Sequence, residues 1–187
     1  MSTTFEAFKA RAEAVSAEVH RFASKDEALA FVLGFLKAEG VSSAPACGAV
    51  WVEGSFLEGT AKDDLKVKVP GISFDVTKDA SAASKVGISQ MDWAIAGTGT
   101  LVQDATAVEK RLASTLPPIH VAFIGTERIL ADMGSVLEQI SPKQFNYVAF
   151  ISGPSRTADI ERVLTIGVHG PGRLIIVVVD EFQKVTA

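Results

Sequence analysis

Apolar positions recur at spacings of three and four through the first part of the chain, at Phe5, Phe8, Ala12, Val15, Val19 and Phe22, with charges between them. That period predicts an amphipathic helix. Its stripe is narrow and suits a seam against another helix, either within the same domain or in an oligomer arm. Ser24 and Glu27 then form a capping box that opens a second helix ending at Gly40. Leu29, Phe31, Val32, Leu33, Phe35 and Leu36 make that helix apolar nearly all round, so it is expected to be well buried.

The period then shortens. Residues 49–52 read as a strand, and residues 53–64 as a connection rich in glycine and acids. Leu65, Val67 and Val69 alternate with Lys66 and Lys68, the pattern of a half-exposed edge strand whose lysines discourage edge-to-edge association. From Asp92 to Val102 two extended pieces meet at a tight bend, Gly97-Thr98-Gly99-Thr100.

From there helices and strands alternate. Thr106 and Glu109 cap a helix carrying Val108, Leu112 and Leu116 that stops at Pro117-Pro118, and a strand follows at residues 119–124. Gly125-Thr126 opens a helix with Ile129, Met133, Val136, Leu137 and Ile140 that stops at Ser141-Pro142. Residues 147–151 form a strand, residues 157–166 a short helix with Ile160, Val163 and Leu164 on one face, and residues 174–179 the last strand. Strands this uniformly apolar are buried on both faces, as parallel strands covered by helices are. The fold class is therefore α/β, three-layered, with a mostly parallel sheet and an N-terminal helical segment over residues 1–40. At 187 residues, 48% of them hydrophobic, the chain suits a single domain.

Charge and cysteine content narrow the function classes. A net charge of -4 offers no basic face to a phosphate backbone, which argues against nucleic acid as a partner. The one cysteine, Cys47, can make neither an internal disulfide nor a cysteine-ligated zinc or iron–sulfur site, so no metal or cofactor is expected on this chain and a reducing cytoplasm suits it. As a small residue before an apolar strand, Cys47 reads as a buried thiol. The longest apolar run spans residues 174–179, far short of the roughly 20 residues that cross a bilayer, and the first twenty-two residues lack the basic and apolar regions of a leader.

Two segments carry the strongest chemical signals. In Ser152-Gly153-Pro154-Ser155-Arg156-Thr157-Ala158-Asp159-Ile160-Glu161 a strand runs into a Gly-Pro turn, after which Ser155 or Thr157 caps the expected helix. Free N–H groups at such an end favour an anion, and the Arg156 guanidinium adds a fork for a carboxylate or phosphate. The same residues also read as a plain cap, with Asp159 and Glu161 complementing the helix dipole and pairing Arg156. In Gly167-Val168-His169-Gly170-Pro171, His169 can shuttle protons or bind a ligand, or merely satisfy backbone carbonyls. Both segments sit at strand ends, where open α/β folds place ligand sites. Asp92, between Met91 and Trp93, reads as a base with a raised pKa or as a turn anchor. Thr98, Gly99 and Thr100 can bring backbone N–H groups and hydroxyls to a ligand, or only bend the chain. His20 is placed on the outside of the first helix and His120 in the strand behind Pro118, neither at metal-ligand spacing.

Five motifs in order carry a family resemblance: residues 87–96 (Gly-Ile-Ser-Gln-Met-Asp-Trp-Ala-Ile-Ala), Thr98-Gly99-Thr100-Leu101, Ser114 to Pro117 followed by His120-Val121-Ala122, residues 152–161, and residues 167–171. Over roughly residues 86–180 the chain resembles the LUD domain, or lactate utilization protein C (LutC), family. The resemblance implies a fold akin to the NagB, ribose-5-phosphate isomerase and CoA-transferase group. It also implies a part in bacterial oxidation of L-lactate to pyruvate, as the small subunit of a complex whose partner subunits carry iron–sulfur clusters. By this reading a small carboxylate or phosphorylated ligand is bound by Thr98, Gly99, Thr100, Gly153, Ser155, Arg156, Thr157, His169 and Gly170, with His169 and Asp92 as catalytic candidates. A non-catalytic sensing or assembly module is the alternative, as is a stand-alone transferase or isomerase acting on a CoA thioester or sugar phosphate. The chain departs from the family pattern at Gly97, where an acidic residue is usual, and at Gly172, where a basic or polar one is.

Overall fold

The computed structural model of the protein describes residues 3–141, 143–158, 164–167 and 169–182. Its elements, in chain order, are α1 (Thr3–Ala14), β1 (Glu18–Phe22), α2 (Lys25–Ala38), β2 (Gly48–Trp51), α3 (Lys62–Lys68), β3 (Ile72–Ser73), α4 (Lys78–Ala82), β4 (Ser84–Gln90), β5 (Trp93–Ile95), β6 (Thr100–Asp104), α5 (Val108–Thr115), β7 (Ile119–Gly125), β8 (Ile129–Leu130), α6 (Met133–Leu137), β9 (Val148–Ile151), β10 (Arg156–Ala158), β11 (Leu164–Ile166) and β12 (Arg173–Val179). Short 3-10 turns occupy Ser55–Leu57 and Thr126–Arg128.

Six strands form a wholly parallel sheet in the order β1-β12-β7-β4-β2-β3. The uniformly apolar β7 and β12 lie at its centre, as their composition requires. Their side chains alternate between two cores. Val121, Phe123, Ile175 and Val177 pack with α2 and with Trp51 and Phe56 on one face, where Phe123 stacks on Trp51 at 5.6 Å. Ala122, Ile124, Ile176 and Val178 face α1 and a second sheet on the other. That second sheet has the order β8-β5-β6-β9, antiparallel except between β5 and β8. The α/β class and the mostly parallel sheet expected from sequence hold. The second outer layer is a sheet with α1 and α5 beside it, rather than helices alone.

Several local expectations are overturned. The first helix ends at Ala14, not Phe22: Ser16 takes the left-handed conformation at φ 71, Ser16 N–H donates to Glu13 O and Ala17 N–H to Ala12 O, closing the helix. Val19 and Phe22 then belong to β1, which pairs in parallel with β12, so residues 1–40 are not wholly helical. Residues 65–69 are not an edge strand. They lie on α3 and the residue after it, where Leu65 and Val69, four apart, are buried and Val67 is 80% exposed. The acids of its first turn and lysines of its last suit the helix dipole. The helix expected from Thr126 is replaced by a 3-10 turn and β8, because Ile129 and Leu130 pair with Ala94 and Ile95; α6 starts only after Asp132, whose carboxylate accepts from Ser135 N–H at 2.9 Å.

The helix expected over residues 157–166 is absent where the chain is described. Arg156 pairs with Ile166 and Ala158 with Leu164 in an antiparallel ladder, an extended arrangement suited to the β-branched residues Thr157, Thr165 and Ile166. Asp159, Ile160, Glu161 and Val163 lie outside the described residues, as do Pro142 and Val168. Thr106 does not cap α5; that position is Ala107, with no side-chain bond, and Thr106 Oγ1 instead accepts from Asn146 N–H. Half of the expected capping box is present: Ser24 Oγ accepts from Glu27 N–H, while the Glu27 carboxylate accepts from Ala23 N–H rather than from Ser24. Its helix α2 buries one face, through Ala28, Val32, Leu33 and Leu36, while Phe31 and Phe35 are only partly covered.

Candidate functional site

The two signal-bearing segments meet. Ser155 N–H donates to Pro171 O at 2.8 Å, Gly167 N–H to Ser155 O at 2.9 Å, and Gly172 N–H to Pro118 O at 2.9 Å, so residues 152–156 and 169–172 form one wall over the start of β7. Gly153 has φ 71, and a Cβ there would lie 2.2 Å from Val15 O; only glycine lets this turn rest on the end of α1. Arg156 Nη2 donates to Ser16 Oγ at 2.8 Å in the same α1–β1 connection.

This wall closes a cleft of about 460 Å³ between the two sheets, within the size range of small-molecule sites. It opens at the amino ends of β7 and β12, where His120 and Leu174 lie, and not at the carboxyl ends where doubly wound sheets usually bind ligands. The far side is the end of β9, Phe150 to Ser152, and the last turn of α5, Ser114 and Thr115. Both α5 hydroxyls donate to Arg111 O, and each keeps lone pairs able to accept. Arg156, His169 and His120 are its cationic or basic residues, and no carboxylate lines it among the described residues. Gly170 also lines it, packed on Ser155: a Cβ there would meet the Ser155 side chain at 3.1 Å.

His120 is the site residue that sequence reading missed. It is 1% exposed, and burial pushes its pKa down to about 4, so the ring is neutral near pH 7. Its Nε2 lies 2.9 Å from Ser89 Oγ, and Gln103 Nε2 donates to that same hydroxyl at 3.1 Å. The signal in the sequence is a histidine inside an otherwise apolar strand.

Other expected residues are placed elsewhere. Thr98 Oγ1 donates to Thr100 Oγ1 at 2.8 Å, and Thr100 Oγ1 lies 2.8 Å from Ser152 Oγ, so this pair reaches the cleft only through Ser152. Gly99, with φ 67, is buried against α1: a Cβ would lie 2.3 Å from Ala12 N, so the close approach it permits is to a helix. Gly97 is exposed and its N–H donates to Ala131 O, away from the cleft. Thr157 joins β10, opposite Thr165, so the helix end expected to present its N–H groups to an anion is not there. Asp92 lies at the carboxyl end of the sheet, half-buried. It accepts from Asp104 N–H at 2.7 Å and sits 3.7 Å from Lys110; burial raises its pKa, and Lys110 opposes that rise. It anchors the β5–β6 pair and is no part of the cleft. His20 is on β1, its ring 4.5 Å from that of Phe31, and Cys47 is half-buried rather than buried. No three of His, Cys, Asp and Glu come together as a metal site among the described residues. No helix among them is long and apolar enough to cross a membrane.

The chain matches the LUD domain over residues 5–179. It is 34% identical to a lactate utilization protein C of Exiguobacterium over 113 residues, 57% of this chain and 49% of that protein. It is 36% identical to one of Oceanobacillus iheyensis over 101 residues, 51% and 43% respectively. The matched region spans about half the length of these curated relatives. The crystal structure of a DUF162 family protein from Deinococcus radiodurans shares the fold, with a TM-score of 0.65 at 18% identity over 94% of this chain and 96% of that one.

Proposed function

The chain belongs to the LUD domain family, and on that premise we propose that it serves lactate utilization by holding a small anion, a carboxylate or a phosphorylated molecule, in the cleft between its sheets. The observation that carries this reading is the composition of the cleft: an arginine, two histidines and several hydroxyls, with no carboxylate among the described lining residues. The Arg156 fork gives two parallel donors to a carboxylate or phosphate, with His169 beside it on the same wall. Relatives named lactate utilization protein C support the metabolic assignment. In this proposal the chain is the small subunit of an assembly in which L-lactate loses two electrons and two protons to become pyruvate, the electrons passing to iron–sulfur clusters on partner subunits.

A second reading, in which the chain binds or senses the ligand without chemistry of its own, is favoured by His120. With its pKa held near 4 the ring is neutral at pH 7 and a weak base, better suited to holding a ligand by a hydrogen bond than to taking its proton.

Titration calorimetry with lactate, pyruvate and inorganic phosphate tests the cleft. Arg156→Ala is expected to weaken binding about tenfold or more, the worth of a charge-assisted hydrogen bond, while stability changes by no more than about 0.5 kcal/mol. Unchanged affinity with a large loss of stability overturns the reading. Adding the chain to the purified iron–sulfur partners is expected to raise their lactate oxidation; no complex and no change in rate sink the assembly role and leave the binding role standing.

A further inference from the structure

The two ring nitrogens of His120 have different surroundings. Nε2 faces Ser89 Oγ at 2.9 Å, whereas Nδ1 has no hydrogen-bond partner among the described residues. The neighbours decide which nitrogen carries the proton. Gln103 Nε2 lies 2.8 Å from the Gln90 carbonyl oxygen, which can only accept, so the amide turns its nitrogen there; flipped, it would set two oxygens against each other. The same nitrogen gives its other hydrogen to Ser89 Oγ at 3.1 Å. Ser89 therefore accepts from Gln103, and its own hydrogen goes to the acceptor within reach, His120 Nε2. A neutral imidazole that accepts at Nε2 bears its proton on Nδ1. The neutral state is secured by burial.

A buried N–H without an acceptor is costly, and here it belongs to a ring that borders the cleft. We infer that His120 is the specificity-determining residue of the cleft: its Nδ1–H donates to an oxygen of the ligand's skeleton, so the site prefers an anion bearing a carbonyl or hydroxyl oxygen to the same anion without one. The inference rests on the cleft being an anion site, with Arg156 holding the charged group. Nδ1 exposes less than 1 Å², so the ring must shift toward the cleft as the oxygen arrives. Ser89 and Gln103 are positioning residues that fix the tautomer. A neutral donor adds no second positive charge, and only a ligand with an oxygen there relieves the unpaired N–H, which the deoxygenated analogue leaves unpaired as before.

Two measurements test this. Long-range 1H–15N spectra of the labelled wild-type protein report the tautomer directly, and the expected result is a protonated Nδ1 whose signal shifts on adding pyruvate or lactate and not on adding propionate. A protonated Nε2, or no shift while Arg156-dependent binding is intact, overturns the inference. In calorimetry the wild type is expected to bind pyruvate about tenfold tighter than propionate, the worth of one net hydrogen bond. His120→Gln puts an amide where Nε2 stood, keeps a partner for Ser89 and abolishes the preference; His120→Asn, whose amide reaches the Nδ1 position, retains it. Equal affinity of the wild type for both acids, with Arg156→Ala still weakening each, overturns the role of His120 alone. No binding of any of the three acids overturns the anion-site reading, and this inference with it. Should the variants not fold, the wild-type spectra and affinities decide.

Discussion

His120 and Asp92 are both polar residues in apolar company, and burial acts on them in opposite senses: it holds the imidazole neutral and lifts the carboxyl's pKa. For Asp92 the nearby Lys110 and the Asp104 N–H pull back, which makes it an anchor. His120 has no such counterweight, and this makes its burial visible in acid. In the unfolded chain the ring takes a proton near pH 6.5, in the folded protein only near 4. The contribution to stability is therefore whole above about pH 6.5 and is lost as the pH falls toward 4, in total about 3 kcal/mol. Urea unfolding at pH 7 and pH 4.5 is expected to show a larger acid loss for the wild type than for His120→Gln, by about 2–3 kcal/mol. Equal losses would mean the ring is protonated as readily folded as unfolded. The histidine was legible in the sequence, but its setting was not, since Ser89 and Gln103 lie 31 and 14 residues from their partners in the network.

At the scale of elements, the segments read correctly were those with one dominant period and clear punctuation: α2 between Ser24 and Gly40, β7 after Pro117-Pro118, and β12. Misread segments satisfied two templates at once. Residues 65–69 alternate like a strand, yet Leu65 and Val69 also stand four apart, and the helix buries those two alone. The distinction is measurable. Leu65→Ala is expected to cost about 2–5 kcal/mol as a core truncation, whereas Val67→Ala, at 80% exposure, should stay within about 0.5 kcal/mol; comparable costs would put both on one strand face. Residues 156–158 and 164–166 carry a helical spacing too, but their backbone groups are satisfied by each other across a ladder. Val19 and Phe22 continued the first helix's period by coincidence, and Ser16 ended that helix without the glycine that usually announces such a stop.

At the scale of the molecule, α1 is a buttress. Its end carries the Gly153 turn, receives Gly99 and, through Ser16, holds Arg156. Gly153→Ala is accordingly expected to lose about 1–2 kcal/mol from the left-handed backbone alone, with more from the approach to Val15 O, and to weaken anion binding as the wall shifts. Thermal unfolding with calorimetry checks both, and retained stability would mean that α1 yields easily. The sequence by itself determined the α/β class and the apolar strands β7 and β12, and it singled out residues 152–156 and 169–171 as loops at strand ends, because composition and period record how each segment meets solvent. Only the tertiary structure decided that these two loops close a single cleft at the amino ends of the parallel strands, that Asp92 and Gly99 stand apart from it, and that His120 forms its floor. Those outcomes depend on hydrogen bonds and burial between residues far apart in the chain, and local pattern says that a surface must be covered without saying which partner covers it.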